Sequence, residues 1–161
     1  MDFELNEAEK MVQQSARAFA EKRLKPMAAQ CDEEEAIPRS LYLEGAELGF
    51  LGMMLPEEFG GLGLDYLSYA VAMEELARGN AAFQVGVTVH NSLVASGILK
   101  FGTPDQKKKY LPKMASGEAI GAYCLSEPGS GTDAGSLTTS AASDGDFYVL
   151  NGTKSWVSNG G

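Results

Sequence analysis

The uneven distribution of glycine along the 161-residue chain divides the sequence into two parts. No glycine precedes Gly45, whereas nine of the 19 glycines lie after residue 116. Glycine weakens helix interiors and favours turns, so the first part favours helices and the last part favours short elements joined by turns. The hydrophobic period also changes from helical to strand-like near Ile120. We expect an all-α helical domain over residues 1–118, followed by the first strands of an antiparallel β domain over residues 119–161.

Start signals define the helices of the first part. Asn6 with Glu9 three residues later predicts a capping box, and Thr103 with Gln106 predicts a second one. The run Ala81–Leu99 is apolar almost all round, which predicts the most buried helix of the domain.

The last part contains apolar or alternating runs bounded by turn residues. These runs predict strands over Ala122–Leu125, Leu137–Ala142, Phe147–Leu150 and Lys154–Ser158. Asp-Gly and Asn-Gly pairs at residues 144–145 and 151–152 predict hairpin turns between the later strands. Three or four strands without a covering layer make a poor domain, so we expect further chain to complete the sheet.

Composition excludes several classes of protein. The 44% apolar share is sufficient for a core, and no uninterrupted apolar run approaches the roughly 20 residues that cross a bilayer. Cys31 and Cys124 form no CxxC pair, which excludes a disulfide scaffold or a cysteine-based zinc site, and we expect no metal. The net charge of −9, without a basic stripe, argues against nucleic-acid binding. The acidic start MDFELNEAEK lacks the features of a targeting peptide. We therefore expect a cytoplasmic bacterial-type protein, or a mitochondrial matrix protein if the chain is a processed eukaryotic one.

A loop rich in glycine and hydroxyl residues, Ser126–Gly135, follows the first predicted strand. Glycine lets a main chain approach a ligand closely, and hydroxyls donate to phosphate or carbonyl oxygens without adding charge. The loop has neither the Rossmann G-x-G-x-x-G before a helix nor a Walker lysine. From the residues alone, a cofactor loop and a simple turn both stay open.

Four longer segments narrow the choice. They are YCLSEPGSGTDAG (123–135), NGTKSWVSNGG (151–161), LPEEFGGLGLDYLSYAVAMEELAR (55–78) and FGTPDQKKKYLPKMASGE (101–118). In content and order they resemble the acyl-CoA dehydrogenase family over essentially the whole chain, and look like its short-chain or butyryl branch. The resemblance implies the family's N-terminal helical domain and less than half of its middle β domain. The family's C-terminal four-helix domain lies outside the match.

The resemblance also implies FAD as cofactor and a set of contacts to it. The implied cofactor-binding residues are Tyr123, Cys124, Leu125, Ser126, Gly131, Thr132, Trp156, Val157 and Ser158. Leu125 and Ser126 would contact the isoalloxazine ring, and Thr132 would reach both the pyrophosphate and the thioester side of the substrate. Trp156 would pack on the flavin, and the Ser158 hydroxyl would lie near the flavin N5.

The implied reaction is the α,β-dehydrogenation of an acyl-CoA thioester to trans-2-enoyl-CoA, with electrons passed to an electron-transfer flavoprotein. The family's base is a glutamate with no aligned position in this chain, so no catalytic base is assigned. The family also implies a homotetramer. Two alternatives stay open: an acyl-CoA oxidase or other flavin enzyme of the same fold, and a non-catalytic subunit that another chain completes.

Three residues have structural explanations that we prefer to catalytic ones. Glu127, within the first motif, is expected to be a hydrogen-bonded loop carboxylate rather than a base. His90, the only histidine, is expected in the core or at an interface. Cys124 is expected to be a buried, inert thiol.

Overall fold

A computed structural model describes residues 4–161. The chain divides into an N-terminal unit that ends at Gly121 and a second unit, Ala122–Gly161. The first unit is helical and the second contains two antiparallel strands. The expected fold class, helices followed by antiparallel strands, is confirmed.

The first unit contains α-helices, two π-helical segments and a short 3₁₀ turn. The α-helices are α1 (Glu7–Phe19), α2 (Lys25–Glu33), α3 (Arg39–Glu47), α4 (Tyr66–Gly79), α5 (Ala81–Thr88), α6 (Ser96–Phe101) and α7 (Pro104–Ala115). The π segments Ala20–Leu24 and Val89–Ala95 join α1 to α2 and α5 to α6, and the 3₁₀ turn spans Glu57–Phe59.

Both predicted capping boxes are confirmed. The Asn6 side chain accepts the Glu9 N–H at 2.9 Å, and the Glu9 carboxylate accepts the Asn6 N–H at 2.7 Å. Thr103 and Gln106 make the same reciprocal pair at 3.2 and 2.8 Å. Each box satisfies helix donors that have no partner within the helix.

Pro26 is the second residue of α2, which begins directly after the first π segment. A proline inside a regular α-helix has no N–H to donate, and its ring clashes with the carbonyl four residues earlier. In the π segment the Lys25 N–H donates to the Ala20 carbonyl, five residues back. This wider turn lets one continuous helical stretch pass the proline and reach Glu33.

An aromatic cluster forms the centre of the helical core. Phe83 of α5 is fully buried, with its ring centroid 5.8 Å from that of Phe19 and 5.0 Å from that of Tyr42. Phe50 packs against Phe19 at 5.7 Å. These rings connect α1, α3 and α5 in one apolar layer.

The prediction that Ala81–Leu99 is the most buried helix is wrong. Seven of the 14 residues of α4 are buried, whereas Val85 and Leu93 of the predicted helix are 47% and 44% exposed. The apolar residues surround this helix, but only one side of it packs on the core. Among the described residues, Ala81–Phe101 is long and apolar enough to cross a membrane by length and composition. This is weak evidence for a span, because a core helix passes the same test.

His90 lies in the second π segment and is fully buried. Its Nδ1 accepts the Gly121 N–H at 3.0 Å, and its Nε2 lies 3.0 Å from the Leu51 carbonyl, to which it donates as the neutral tautomer. Burial lowers the pKa of the imidazole below 6.5. The expectation of a core histidine is confirmed.

The second unit contains one β-hairpin, β1 (Ser140–Asp144) and β2 (Phe147–Asn151), paired antiparallel with Ser140 opposite Asn151. The two-residue turn has Gly145 at its first central position with φ 60°, as in a type II′ turn. The predicted strand Leu137–Ala142 is therefore displaced toward the turn, and Phe147–Leu150 is confirmed. Every residue of both strands is exposed.

Two of the predicted strands, Ala122–Leu125 and Lys154–Ser158, are wrong. Neither segment is a strand in the structure. The predicted Asn-Gly hairpin is also wrong, because β2 ends at Asn151 and no strand follows it in the described chain. Alternation of apolar residues favours a strand only where a second strand is available for pairing. Here the Ser155 N–H donates to the Ser126 carbonyl, one residue beyond the first segment, and the two segments form no ladder.

Gly61 tests how closely the loop before α4 is packed. A Cβ at this position would lie 2.0 Å from the Leu55 carbonyl oxygen, a main-chain atom that cannot rotate away. We expect Gly61→Ala to lower the free energy of unfolding by about 1–3 kcal/mol, measured by urea denaturation. The control Gly97→Ala meets no atom within 4 Å and lies in α6, so it should leave stability unchanged or slightly raised. Equal stabilities for the two variants would contradict the close packing.

Candidate functional site

The glycine-rich loop of the second unit begins with a tight turn centred on Pro128 and Gly129. The Glu127 N–H donates to the Ser130 carbonyl at 2.8 Å, and the Ser130 N–H donates back to the Glu127 carbonyl at 3.0 Å. Ser130 Oγ then donates to the Asp133 carbonyl at 2.5 Å, which closes the following part of the loop. The loop is thus held by its own main chain and hydroxyls.

The Glu127 carboxylate lies under this turn and is almost fully buried. One oxygen accepts both the N–H and the hydroxyl of Thr138, at 2.7 and 2.8 Å. The other accepts the Thr139 N–H at 2.9 Å and pairs with the Lys154 ammonium at 2.9 Å. The expectation of a hydrogen-bonded loop carboxylate is confirmed.

These contacts determine the charge of Glu127. Hydrogen bonds from Thr139, Thr138 and Lys154 hold the pKa of the carboxyl far below its ordinary value of 4.5. A carboxylate with this pKa, and with both oxygens already occupied, is a poor proton acceptor near neutral pH. Glu127 is therefore a structural anion.

Two consecutive residues connect the two sequence motifs. Lys154 Nζ also donates to the Leu125 carbonyl at 2.9 Å, and the Ser155 N–H donates to the Ser126 carbonyl at 2.9 Å. The main chain at Leu125–Ser126 therefore lies beside the main chain that leads into Trp156. The structure brings together the start of the first motif and the centre of the second.

Several residues of the implied flavin set present apolar or aromatic surface. Tyr123, Leu125 and Trp156 are 46%, 37% and 96% exposed. The remaining members are exposed or half-buried, namely Cys124, Ser126, Gly131, Thr132, Val157 and Ser158. Cys124 is exposed, so the expectation of a buried thiol is wrong. The reason is that its segment belongs to no sheet and has no facing layer.

Trp156 combines this exposure with an uncommon backbone conformation. Its φ is 58°, in the left-handed region that bulky side chains seldom adopt, and Asn159 has φ 61°. Such conformations cost of order 1–3 kcal/mol and concentrate at ligand sites. The largest apolar side chain of the second motif is therefore held outward by a strained turn.

Lys154 was not among the residues assigned from the sequence. It is the only lysine or arginine after Lys113, and that isolation was the one available signal. Its partners Leu125 and Glu127 lie 29 and 27 positions earlier, too far for a local pattern to connect them.

Other features of the described residues offer no competing chemistry. No group of three or more His, Cys, Asp or Glu side chains within residues 4–161 could hold a metal ion. The helical unit has a groove of about 660 Å³ lined mainly by small apolar side chains of α2 and of the α4–α5 junction. None of the implied flavin residues lines it.

Two family models match the chain and together cover nearly all of it. Residues 6–118 match the acyl-CoA dehydrogenase N-terminal domain, and residues 122–161 match the acyl-CoA dehydrogenase middle domain. The chain belongs to the acyl-CoA dehydrogenase family. The resemblance drawn from the motifs is confirmed.

Relatives and solved structures agree with this assignment. The chain is 50% identical over 156 residues to the human mitochondrial short-chain specific acyl-CoA dehydrogenase, covering 97% of this chain and 38% of that protein. Butyryl-CoA dehydrogenase from Megasphaera elsdenii superposes with a TM-score of 0.91 at 37% identity, covering 99% of this chain and 43% of that one. Glutaryl-CoA dehydrogenase from Mycobacterium smegmatis in complex with FADH2 gives 0.91 at 37% identity, covering 95% and 39%. The chain thus spans about two fifths of the length of these relatives.

The residues present fit a flavin dinucleotide. A Cβ at Gly129 or Gly131 would meet no atom within 4 Å, so the main chain there is open to close approach. Exposed Trp156 and Tyr123 supply aromatic surface for a ring, and Ser126 and Thr132 supply uncharged donors.

Proposed function

We propose that this chain supplies flavin-contacting segments of an acyl-CoA dehydrogenase that uses FAD. The reaction is the α,β-dehydrogenation of an acyl-CoA thioester to trans-2-enoyl-CoA, with electrons passed to an electron-transfer flavoprotein. The 50% identity to a short-chain specific relative supports a short acyl chain as substrate. We further propose the family's homotetramer, and a location in the bacterial cytoplasm or the mitochondrial matrix.

The observation that carries the proposal is the Ser155 N–H to Ser126 carbonyl hydrogen bond at 2.9 Å. It places the two family motifs side by side within one small unit. Leu125 and Ser126 are then available to contact the isoalloxazine through main chain and hydroxyl, and Trp156 to pack on it. Val157 and Ser158 follow directly, and the Ser158 hydroxyl would donate near N5.

The adjoining loop supplies the polar contacts. Gly131 and Thr132 would approach the pyrophosphate with uncharged donors, which suits an acidic protein whose second unit holds a single basic residue. Thr132 would also contact the thioester side of the substrate, and Tyr123 and Cys124 would line the flavin. FAD, when bound, supplies the hydride acceptor.

Removal of the α proton requires a positioned base. Glu127 is the only carboxylate within the first motif apart from Asp133, and both are engaged in hydrogen bonds within the second unit. We therefore propose that the base lies outside residues 1–161, as in the family.

The test uses the natural polypeptide that carries these residues. Anaerobic mixing with butyryl-CoA should bleach the flavin absorbance within the turnover time, and longer acyl-CoA thioesters should bleach it more slowly. An electron-transfer flavoprotein should then reoxidise the flavin. Fast reoxidation by oxygen alone would favour the oxidase alternative, and absence of bound flavin would contradict the proposal.

A further inference from the structure

The buried Glu127–Lys154 pair joins three separate segments of the second unit. Lys154 Nζ bridges the Glu127 carboxylate and the Leu125 carbonyl, at 2.9 Å to each. The Glu127 side chain is 4% exposed and the Lys154 side chain 22%. Through Thr138 and Thr139 the same carboxylate also holds the chain that leads into β1.

The Lys154 hydrogen bond to the Leu125 carbonyl orients the peptide group between Leu125 and Ser126. In a trans peptide the carbonyl of Leu125 and the N–H of Ser126 point in opposite directions. By holding the Leu125 carbonyl on its own side, Lys154 directs the Ser126 N–H to the other side. The neighbouring Ser155 N–H fixes the Ser126 carbonyl at 2.9 Å, so two successive peptide groups are oriented from residues 154 and 155.

A buried ion pair of this kind does more to fix the arrangement of the chain than to stabilise the fold. Burying two charges has a desolvation cost that their attraction offsets only when every hydrogen bond is made. Here the carboxylate has four donors and the ammonium two acceptors. A carboxylate satisfied in this way favours one arrangement of the chain over its alternatives.

We propose that Lys154 and Glu127 are positioning residues for the flavin, setting the spacing between Leu125–Ser126 and Trp156–Ser158. They act without touching the cofactor. This inference rests on the proposed function. It adds that a lysine that does not contact the cofactor determines the affinity and reactivity of the site.

The experiment compares Lys154→Met with Lys113→Met in the natural polypeptide. Lys113 also pairs with a glutamate, Glu118, at 2.7 Å, but both side chains are more than half exposed. FAD affinity is measured by quenching of flavin fluorescence, together with the visible spectrum of the bound flavin and with kcat and KM for butyryl-CoA. Circular dichroism confirms folding of each protein.

Lys154→Met is expected to weaken FAD binding and to lower kcat, each on the order of 10–10²-fold, with an altered flavin spectrum, because displacements near 1 Å have effects of this size. Lys113→Met should leave all readouts unchanged. A folded Lys154→Met protein with parental FAD affinity, spectrum and kcat would overturn the inference. If instead the parent itself binds no FAD, the proposed function fails first.

Lys154→Arg provides the second variant in case Lys154→Met does not fold. Arginine keeps the charge, but its planar fork cannot place one nitrogen between the two acceptors as lysine does. Its FAD affinity is expected to lie between those of the parent and Lys154→Met, with a measurable spectral shift. Parental affinity and spectrum in Lys154→Arg, with Lys154→Met unfolded, would assign the pair a purely structural role and overturn the proposal.

Discussion

Residues 1–161 expressed alone and supplied with FAD are expected to dehydrogenate butyryl-CoA at least about 10²–10⁴-fold more slowly than a full-length short-chain relative. The factor is the typical contribution of general-base catalysis. No carboxylate of the second unit is suited to this role. Flavin bleaching after rapid mixing with butyryl-CoA measures the rate directly.

The individual carboxylates of the second unit explain this expectation. Glu127 is committed to Thr138, Thr139 and Lys154, and its low pKa disfavours proton uptake. Asp133 accepts the Gly135 N–H at 3.1 Å and the Ser136 hydroxyl. The two other acids lie at the hairpin, Asp144 at the end of β1 and Asp146 within the two-residue turn.

The control for this experiment is Glu127→Gln in the same 161-residue chain. Because Glu127 is proposed to position the flavin together with Lys154, Glu127→Gln should lower the residual bleaching rate by on the order of 10–10²-fold without abolishing it. Bleaching at an enzymatic rate that Glu127→Gln abolishes would make Glu127 the base. It would also contradict the structural role assigned to this carboxylate.

The sequence predicted the helix caps correctly because the interactions that form them are local. Asn6 and Glu9 are three residues apart, as are Thr103 and Gln106, and the side chain of each first residue reaches the N–H of the second. No remote group is needed. The same local reasoning predicted a hairpin turn at residues 144–145. The structure has the turn at residues 145–146, so that Gly145 is its first central residue instead of its second.

Strand pairing and burial were predicted less well because both depend on distant residues. The segments 122–125 and 154–158 have strand-like composition, but whether they form strands depends on what lies beside them. Likewise the apolar content of Ala81–Leu99 could not show that Val85 and Leu93 face away from the core.

In the candidate site, too, the sequence predicts the features that are local and misses the contacts between distant residues. Resemblance to the family supplied the flavin set from Tyr123 to Ser158, since those motifs are contiguous in sequence. The hydrogen bonds that orient them were not accessible, because Lys154 reaches back to Leu125 and Glu127 through the fold. The motifs thus predict which residues face the flavin, but they do not reveal the Lys154 hydrogen bonds to Leu125 and Glu127.

His90→Ala is expected to lower the free energy of unfolding by about 3–5 kcal/mol at pH 7. The imidazole is fully buried, and it is the side chain that contacts both the Leu51 carbonyl and the Gly121 N–H. Alanine would leave these two polar groups without that partner and would open a cavity beside them. Ser92→Ala, two residues away in the same segment and only part-buried, should cost no more than about 1 kcal/mol.

The contribution of His90 to the free energy of unfolding should also depend on pH, and it should fall as the pH falls. Burial lowers the pKa of the folded imidazole below the ordinary value of 6.5, so between the two pKa values the unfolded chain binds the extra proton. The stabilisation is therefore complete above pH 6.5 and is lost as the pH falls, with a limiting slope of about 1.4 kcal/mol per pH unit. Protonation would also turn Nδ1 into a donor facing the Gly121 N–H. Urea denaturation of the parent protein and of His90→Ala from pH 7 to pH 5 should show the difference between their free energies of unfolding shrinking. A constant difference would mean that His90 is not held neutral by the fold.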